Sequence, residues 1–284
     1  MTIQFKEQVA IVTGAGGGLG RCHALELAER GAKVVVNDLG GAMDGSGGSS
    51  DAALQVVEEI RSAGGQAIAN GASVTDPAGV AQLVEQTLSE FGRIDMLVNN
   101  AGILRDKSFA KMDMADFQTV IDVHLMGSVY CTKAVWPVMV DQGYGRIVMT
   151  TSPSGLYGNY GQTNYGAAKL GLVGFMNTLC IEGAKYNLKV NAISPVAATR
   201  MTENLMPGEV LEKLGPELIT PGVVFLCSED APTGAILQAA GGTFSVAKIV
   251  ESPAVNLGVD ASADDVAANW EDISDLSDAA PRVK

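Results

Sequence analysis

Tyr165 and Lys169 stand four residues apart in NYGAAKLG (164–171), a stretch otherwise composed of small and apolar residues. That spacing puts a phenol and an amine on one helical face, one turn apart. An amine on such a face is costly to bury unless a hydroxyl-rich or anionic group receives it. A phenol holds its proton up to a pH of about 10, too high for easy removal at neutrality. A cation one turn away favours the phenolate, so the pair suits proton transfer to and from a secondary alcohol. Ser152, at the end of the strand-like run RIVMTTS, adds a hydroxyl suited to holding a substrate oxygen. Each residue also has a plain structural role: Ser152 as a helix cap, Tyr165 as an interface phenol, Lys169 as a snorkelling stem.

What raises the three above those roles is a turn far upstream. TGAGGGLG (13–20) follows an apolar run and opens a helical pattern. The frame G-x-G-x-x-G fails here, whereas T-G-x-x-x-G-x-G fits with Gly14, Gly18 and Gly20. Residues without a Cβ let backbone approach a pyrophosphate, and a helix N-terminus supplies amide donors. Asp38 closes the second strand-like run, where a carboxylate binds ribose hydroxyls and repels a 2′-phosphate. Position 17 is Gly rather than a basic residue, and both facts favour NAD over NADP. Asp38 is otherwise readable as a turn former ahead of Gly40-Gly41.

These residues need a scaffold, and its elements are legible. Apolar runs at 8–14, 33–38, 66–73, 94–102, 146–152, 188–195 and 235–242 read as continuous rather than alternating, as strands covered on both faces do. Helical patterns separate them. Asp76-Pro77 reads as an N-cap followed by Pro, and Gly92 and Gly31 read as C-terminal stops. Such alternation predicts an α/β, doubly wound sheet with right-handed crossovers. Three stretches break the rhythm: the Gly/Ser-rich segment 39–50, the irregular 196–219, and an acidic tail from about Glu251. The division expected is 1–250 for the dinucleotide-binding and catalytic domain and 251–284 for the tail. Within the tail, VAANWEDI suggests a short amphipathic helix anchored by Trp270.

Composition removes several function classes. The net charge of −13 repels phosphate backbones and argues against nucleic-acid binding. Four scattered cysteines and two histidines give no metal-ligand pattern, and the cysteines read as reduced core thiols. The start MTIQFKEQVAIVTG has no secretory pattern, and no apolar run is long enough to span a bilayer. A cytoplasmic protein is expected.

The set TGxxxGxG, Asn99-Asn100-Ala101-Gly102, Ser152 and Tyr165-x-x-x-Lys169, spread over about residues 8–245, resembles the short-chain dehydrogenase/reductase family. The resemblance implies a single Rossmann-type parallel sheet of about seven strands, order 3-2-1-4-5-6-7, with helices on both faces. It implies a homodimer or homotetramer and hydride transfer with NAD, using Ser152, Tyr165 and Lys169 as catalytic residues. The implied cofactor contacts are Gly14, Gly18, Leu19, Gly20 and Asp38; Ser73 and Val74 at the adenine; and Asn100, Ala101 and Gly102 on the adenosine side. Tyr165, Lys169, Pro195 and Thr199 complete the set. No metal is implied.

Two positions depart from the family. Where an Asn commonly joins a proton relay, this chain has His124, readable as a relay member or as a satisfied interior side chain. After Pro195 the run is PVAATRM, without the usual Gly and with Thr199 four residues on.

Within the family, the phrases VVVNDLGG, NNAGILRDKSFAKM and the late ANW resemble the branch that oxidises (3R)-3-hydroxyacyl-CoA thioesters in fatty acid or steroid side-chain breakdown. The dehydrogenase module is expected to stand alone here. Arg105, Lys107, Lys111 and Arg200 are candidates for meeting an anionic CoA. Rival readings are a 17β-hydroxysteroid dehydrogenase, a 3-oxoacyl-carrier-protein reductase, against which Asp38 argues, and a non-catalytic NAD-binding scaffold.

Overall fold

The computed structural model describes residues 2–42, 44–47, 51–198 and 213–281. They fall into two compact units, residues 1–245 and 246–284. The first contains β1 (Val9–Thr13), β2 (Lys33–Asn37), β3 (Gln66–Asn70), β4 (Met96–Asn99), β5 (Gly145–Thr150), β6 (Leu188–Val196) and β7 (Ile236–Ala240). An eighth strand, β8 (Thr243–Ala247), continues the sheet, whose order is β3-β2-β1-β4-β5-β6-β7-β8. Strands β1 to β7 pair in parallel, with Val12 beside Val36 on one side and Val98 on the other. β1, β4 and β5 are buried along their whole length, which is why they read as unbroken apolar runs. β8 is mostly exposed and gave no such run.

Helices α1 (Gly18–Glu29), α2 (Asp51–Ser62), α3 (Pro77–Phe91), α4 (Met114–Ile121), α5 (Gly127–Gln142), α6 (Pro153–Tyr157), α7 (Thr163–Gly183) and α8 (Thr220–Cys227) surround the sheet. Punctuation acts as expected. The Asp76 carboxylate accepts from the Ala78 amide at 3.0 Å, and Gly92 caps α3 at φ +77°. Gly31 follows α1 at φ +93°. One π-helical turn, Asp122–Met126, joins α4 to α5 and carries His124. The cysteines are free, with Cys131, Cys180 and Cys227 buried and Cys22 half-buried.

The chain reverses direction across the sheet between β1 and β4, so the loops leaving their C-terminal ends part and open a crevice. The glycine turn and Asn100 to Gly102 leave β1 and β4, and Asp38, Ser73 and Ser152 follow the C-terminal ends of β2, β3 and β5.

The second unit contains a two-stranded antiparallel pair, β9 (Val250–Glu251) with β10 (Ala280–Pro281), and two short helices, α9 (Ala263–Ala268) and α10 (Trp270–Ser274). The single helix expected over VAANWEDI is thus two, broken at Asn269, whose ψ of 16° leaves the helical region. Trp270 is 60% exposed and is not an anchor. The reciprocal bonding of Ser262 and Asp265 starts α9 in its place.

Candidate active site

A cleft of about 830 Å³ opens at the C-terminal ends of β1, β2, β4, β5 and β6. At its floor, Thr13 stitches β1 to the β4 loop. Its hydroxyl donates to the Val98 carbonyl at 3.3 Å and accepts from the amides of Asn100 at 3.0 Å and Ala101 at 3.1 Å. The Asn100 side-chain amide returns the contact, donating to the carbonyls of Thr13 at 3.0 Å and Gly14 at 3.1 Å. This seam brings backbones so close that side chains are excluded. A Cβ on Gly14, which sits at φ +63°, would stand 2.7 Å from the Ala101 Cα, and one on Gly20 would strike the Gly14 carbonyl oxygen. Gly17 caps α1, Gly18 opens it, and both line the cleft with Leu19. A narrow glycine-walled floor ending on a helix N-terminus fits a pyrophosphate.

Asp38 is fixed beside that floor. One carboxylate oxygen accepts from the Gly16 amide at 2.7 Å and the other from the Gly40 amide at 2.6 Å. The spacing T-G-x-x-x-G-x-G passes over Gly16, yet a Cβ there would stand 2.9 Å from the Asp38 Cγ. Two amide donors hold the carboxylate at the rim of the cleft, where it fits a ribose diol. Ser73 and Val74 form the adjoining wall, with Asn100, Ala101 and Gly102 opposite. Asn99 turns away, donating to the Thr132 hydroxyl at 3.1 Å in the interior. Taken together, the residues present fit a dinucleotide.

Ser152, Tyr165 and Lys169 meet at the other end of the same cleft. α6 packs against α7 over Gly155, where a Cβ would stand 2.8 Å from the Lys169 Cβ. The Lys169 ammonium donates to the Thr150 carbonyl at 2.5 Å and lies 5.4 Å from the centre of the Tyr165 ring. Ser152 does cap α6, its Oγ accepting from the Ser154 amide at 3.2 Å. That bond uses a lone pair and leaves the hydroxyl proton to point toward Tyr165, so the cap and a role in the cleft coexist. Burial pushes the phenol up to about 12, against a lowering hydrogen bond from Ser152, while the negative charge of Asp106 pushes it further up. Burial pulls the Lys169 amine down to about 7. In the chain by itself, desolvation therefore dominates at both groups, and the two protonation equilibria have moved toward their neutral forms.

His124 is buried beneath them. Its ring stands edge-on to Tyr165, centroids 5.0 Å apart. The Nε2 atom faces the Ile103 backbone, 2.7 Å from its carbonyl oxygen and 3.1 Å from its amide, so it can donate to the one or accept from the other. Nδ1 has no partner among the described residues. Burial and the neighbouring Lys169 charge keep the imidazole neutral, far below its ordinary pKa. Gly102 makes room for the ring.

Pro195 lines the cleft; Thr199 and Arg200 lie outside the described residues. Arg105 and Lys107, two of the basic candidates, are engaged. Arg105 pairs with Asp116 at 3.0 Å and donates to the Asp44 carbonyl at 2.9 Å, and Lys107 lies 3.6 Å from Asp116. Lys111 is exposed on a 3-10 turn. Spacing alone did not reveal Asn159, Gln162 and Asp106, an amide–amide–carboxylate chain beside Tyr165. Among the described residues no cluster of histidine, cysteine or acidic side chains is arranged to hold a metal, and no helix is long and apolar enough to cross a membrane.

Residues 8–209 match the family described as short chain dehydrogenase. A short-chain type dehydrogenase/reductase of Mycobacterium tuberculosis is 51% identical over 275 residues, covering 96% of each chain. The peroxisomal multifunctional enzyme type 2 of Mus musculus is 48% identical over 285 residues, covering 98% of this chain and 38% of that enzyme. The chain thus spans well under half the length of that multifunctional relative. Among solved structures, 7α-hydroxysteroid dehydrogenase complexed with NADH and 7-oxo glycochenodeoxycholic acid superposes with a TM-score of 0.76 at 32% identity, over 84% of this chain and 95% of that one.

Proposed function

The chain belongs to the short-chain dehydrogenase family, and from that premise we propose that it oxidises (3R)-3-hydroxyacyl-CoA thioesters to 3-oxoacyl-CoA with NAD. It is an oxidoreductase acting on a secondary alcohol. A bound nicotinamide dinucleotide supplies the hydride acceptor. Gly14, Gly18 and Gly20 give its pyrophosphate a close backbone approach, and the anionic Asp38 favours ribose hydroxyls over a 2′-phosphate. The observation that carries the reading is the meeting of Ser152, Tyr165 and Lys169 in one cleft with that glycine floor.

The residue roles follow from the chemistry of each group. Ser152 Oγ–H donates to the substrate oxygen. Tyr165 Oη takes the hydroxyl proton. Lys169 Nζ stabilises the phenolate and donates to ribose hydroxyls. The thioester class, rather than the steroid, is favoured by the relation to peroxisomal multifunctional enzyme type 2 over 98% of this chain. A homodimer or homotetramer is part of the same reading.

Initial rates with NAD test it, on (3R)-3-hydroxyacyl-CoA esters of several lengths beside estradiol and testosterone. The reading expects the highest specificity constant on a thioester. A specificity constant for free steroid above every thioester would reverse it.

A further inference from the structure

Gln162 lines the cleft three residues before Tyr165, at the N-cap of α7, and is 6% exposed. Its amide is fixed at both ends. Nε2 donates to an Asp106 carboxylate oxygen at 2.6 Å, and Oε1 accepts from the Asn159 Nδ2 at 3.0 Å. A carboxylate only accepts, so the amide cannot flip without setting oxygen against oxygen. An amide nitrogen has two hydrogens; the second on Gln162 has no partner among the described residues. Asp106 is itself exposed, and its backbone neighbours tie it down: the Asn164 side chain donates to the Arg105 carbonyl at 3.1 Å, and the Lys107 amide to the Gly161 carbonyl at 2.9 Å. A surface carboxylate thus orients a buried amide donor on the wall of the reaction chamber. Asp106 also opposes ionisation of Tyr165, so the reacting phenol gains nothing from it.

We propose that Gln162, held in one orientation by Asp106, donates to the thioester carbonyl of the substrate and so selects 3-hydroxyacyl thioesters over alcohols that lack a carbonyl β to the reacting carbon. The inference rests on the functional reading above. Gln162 and Tyr165 occupy adjoining positions in the first turn of α7, as the C1 carbonyl and the C3 oxygen occupy adjoining positions in the substrate. Gln162 is a specificity residue and Asp106 a positioning residue.

Steady-state kinetics with two matched alcohols separate this from a structural role. One is a (3R)-3-hydroxyacyl thioester of pantetheine; the other is the thioether with methylene in place of the C1 carbonyl. Gln162→Ala should lose about tenfold or more in kcat/KM on the thioester, the cost of about 1.4 kcal/mol of lost hydrogen bonding, and little on the thioether. Asp106→Asn frees the amide to flip, and should raise KM for the thioester but not for the thioether; its loss of charge beside Tyr165 shifts kcat on both compounds alike. Equal losses on both compounds would assign Gln162 to folding and overturn the inference, as would no loss on either. Should the wild-type protein turn over neither compound with NAD while oxidising a steroid, the functional reading itself fails. A Gln162→Met variant guards against a packing artefact: it nearly keeps the volume, removes the amide donor without adding charge beside Tyr165, and should show the thioester-specific loss even if Gln162→Ala folds poorly.

Discussion

Replacing Lys169 with Met should stabilise the protein while destroying its activity. The side chain is 3% exposed, and burial lowers its pKa from an ordinary 10.5 to about 7. The unfolded chain then holds a proton on this amine up to about pH 10.5, the folded chain only up to about 7. Between those limits the unfolded state binds more protons, so stability rises with pH across the window and is lost as pH falls through it. The buried amine costs on the order of 4 kcal/mol at pH 7 and about 2 kcal/mol at pH 9. Met removes that cost but orphans the Thr150 carbonyl, which takes back ~1–3 kcal/mol at every pH. The net gain expected is about 1–3 kcal/mol at pH 7, close to zero at pH 9. At ~2–4 °C per kcal/mol, the Tm advantage of the variant should shrink by roughly 4–8 °C between the two pH values. Thermal melts of both proteins, without added dinucleotide, read this directly. A variant less stable than wild type at pH 7, with a gap that ignores pH, would show that no desolvated amine lies there.

Three other outcomes follow from the site. Gly20→Ala places a methyl against the Gly14 carbonyl and the Asn100 side chain; a loss of about 1–3 kcal/mol, read by denaturant titration, and weakened dinucleotide binding by calorimetry are expected. Asp38→Asn keeps an acceptor for one of its two amide bonds but drops the charge, so the NAD-to-NADP ratio of kcat/KM should fall at least about tenfold, ~1.4 kcal/mol. His124→Phe keeps an edge against Tyr165 but cannot bond the Ile103 backbone, so it should cost about 1–3 kcal/mol in stability by chemical denaturation.

Local chemistry made part of this site legible. The positions of Gly14, Gly20, Asp76 and Gly92 follow from backbone geometry that few residues satisfy, and the buried strands follow from unbroken apolar runs. What escaped depends on neighbours distant in sequence. Gly16 matters because Asp38, twenty-two residues on, needs its amide, and no local frame encodes that. Gln162 reads as an ordinary N-terminal polar residue until Asp106 folds against it. Arg105, a candidate for meeting a CoA phosphate, also pairs with Asp116, which no local pattern announces. Tyr165 and Lys169 met a similar limit. Spacing told that Tyr165 and Lys169 adjoin, but not that burial would push one up to about 12 and the other down to about 7. The lone helix expected around Trp270 failed because two short helices meet at Asn269, and nothing in an amphipathic pattern marks that break.

In the proposed reaction the Tyr165 phenolate oxygen takes the proton from the C3 hydroxyl of a 3-hydroxyacyl thioester. Pre-steady-state NADH formation, with wild type and Tyr165→Phe both saturated with NAD and (3R)-3-hydroxybutyryl-CoA, tests it most directly. The account predicts that the variant binds NAD as tightly as wild type and forms NADH about 10²–10⁴-fold more slowly. A variant that forms NADH at the wild-type rate would contradict it.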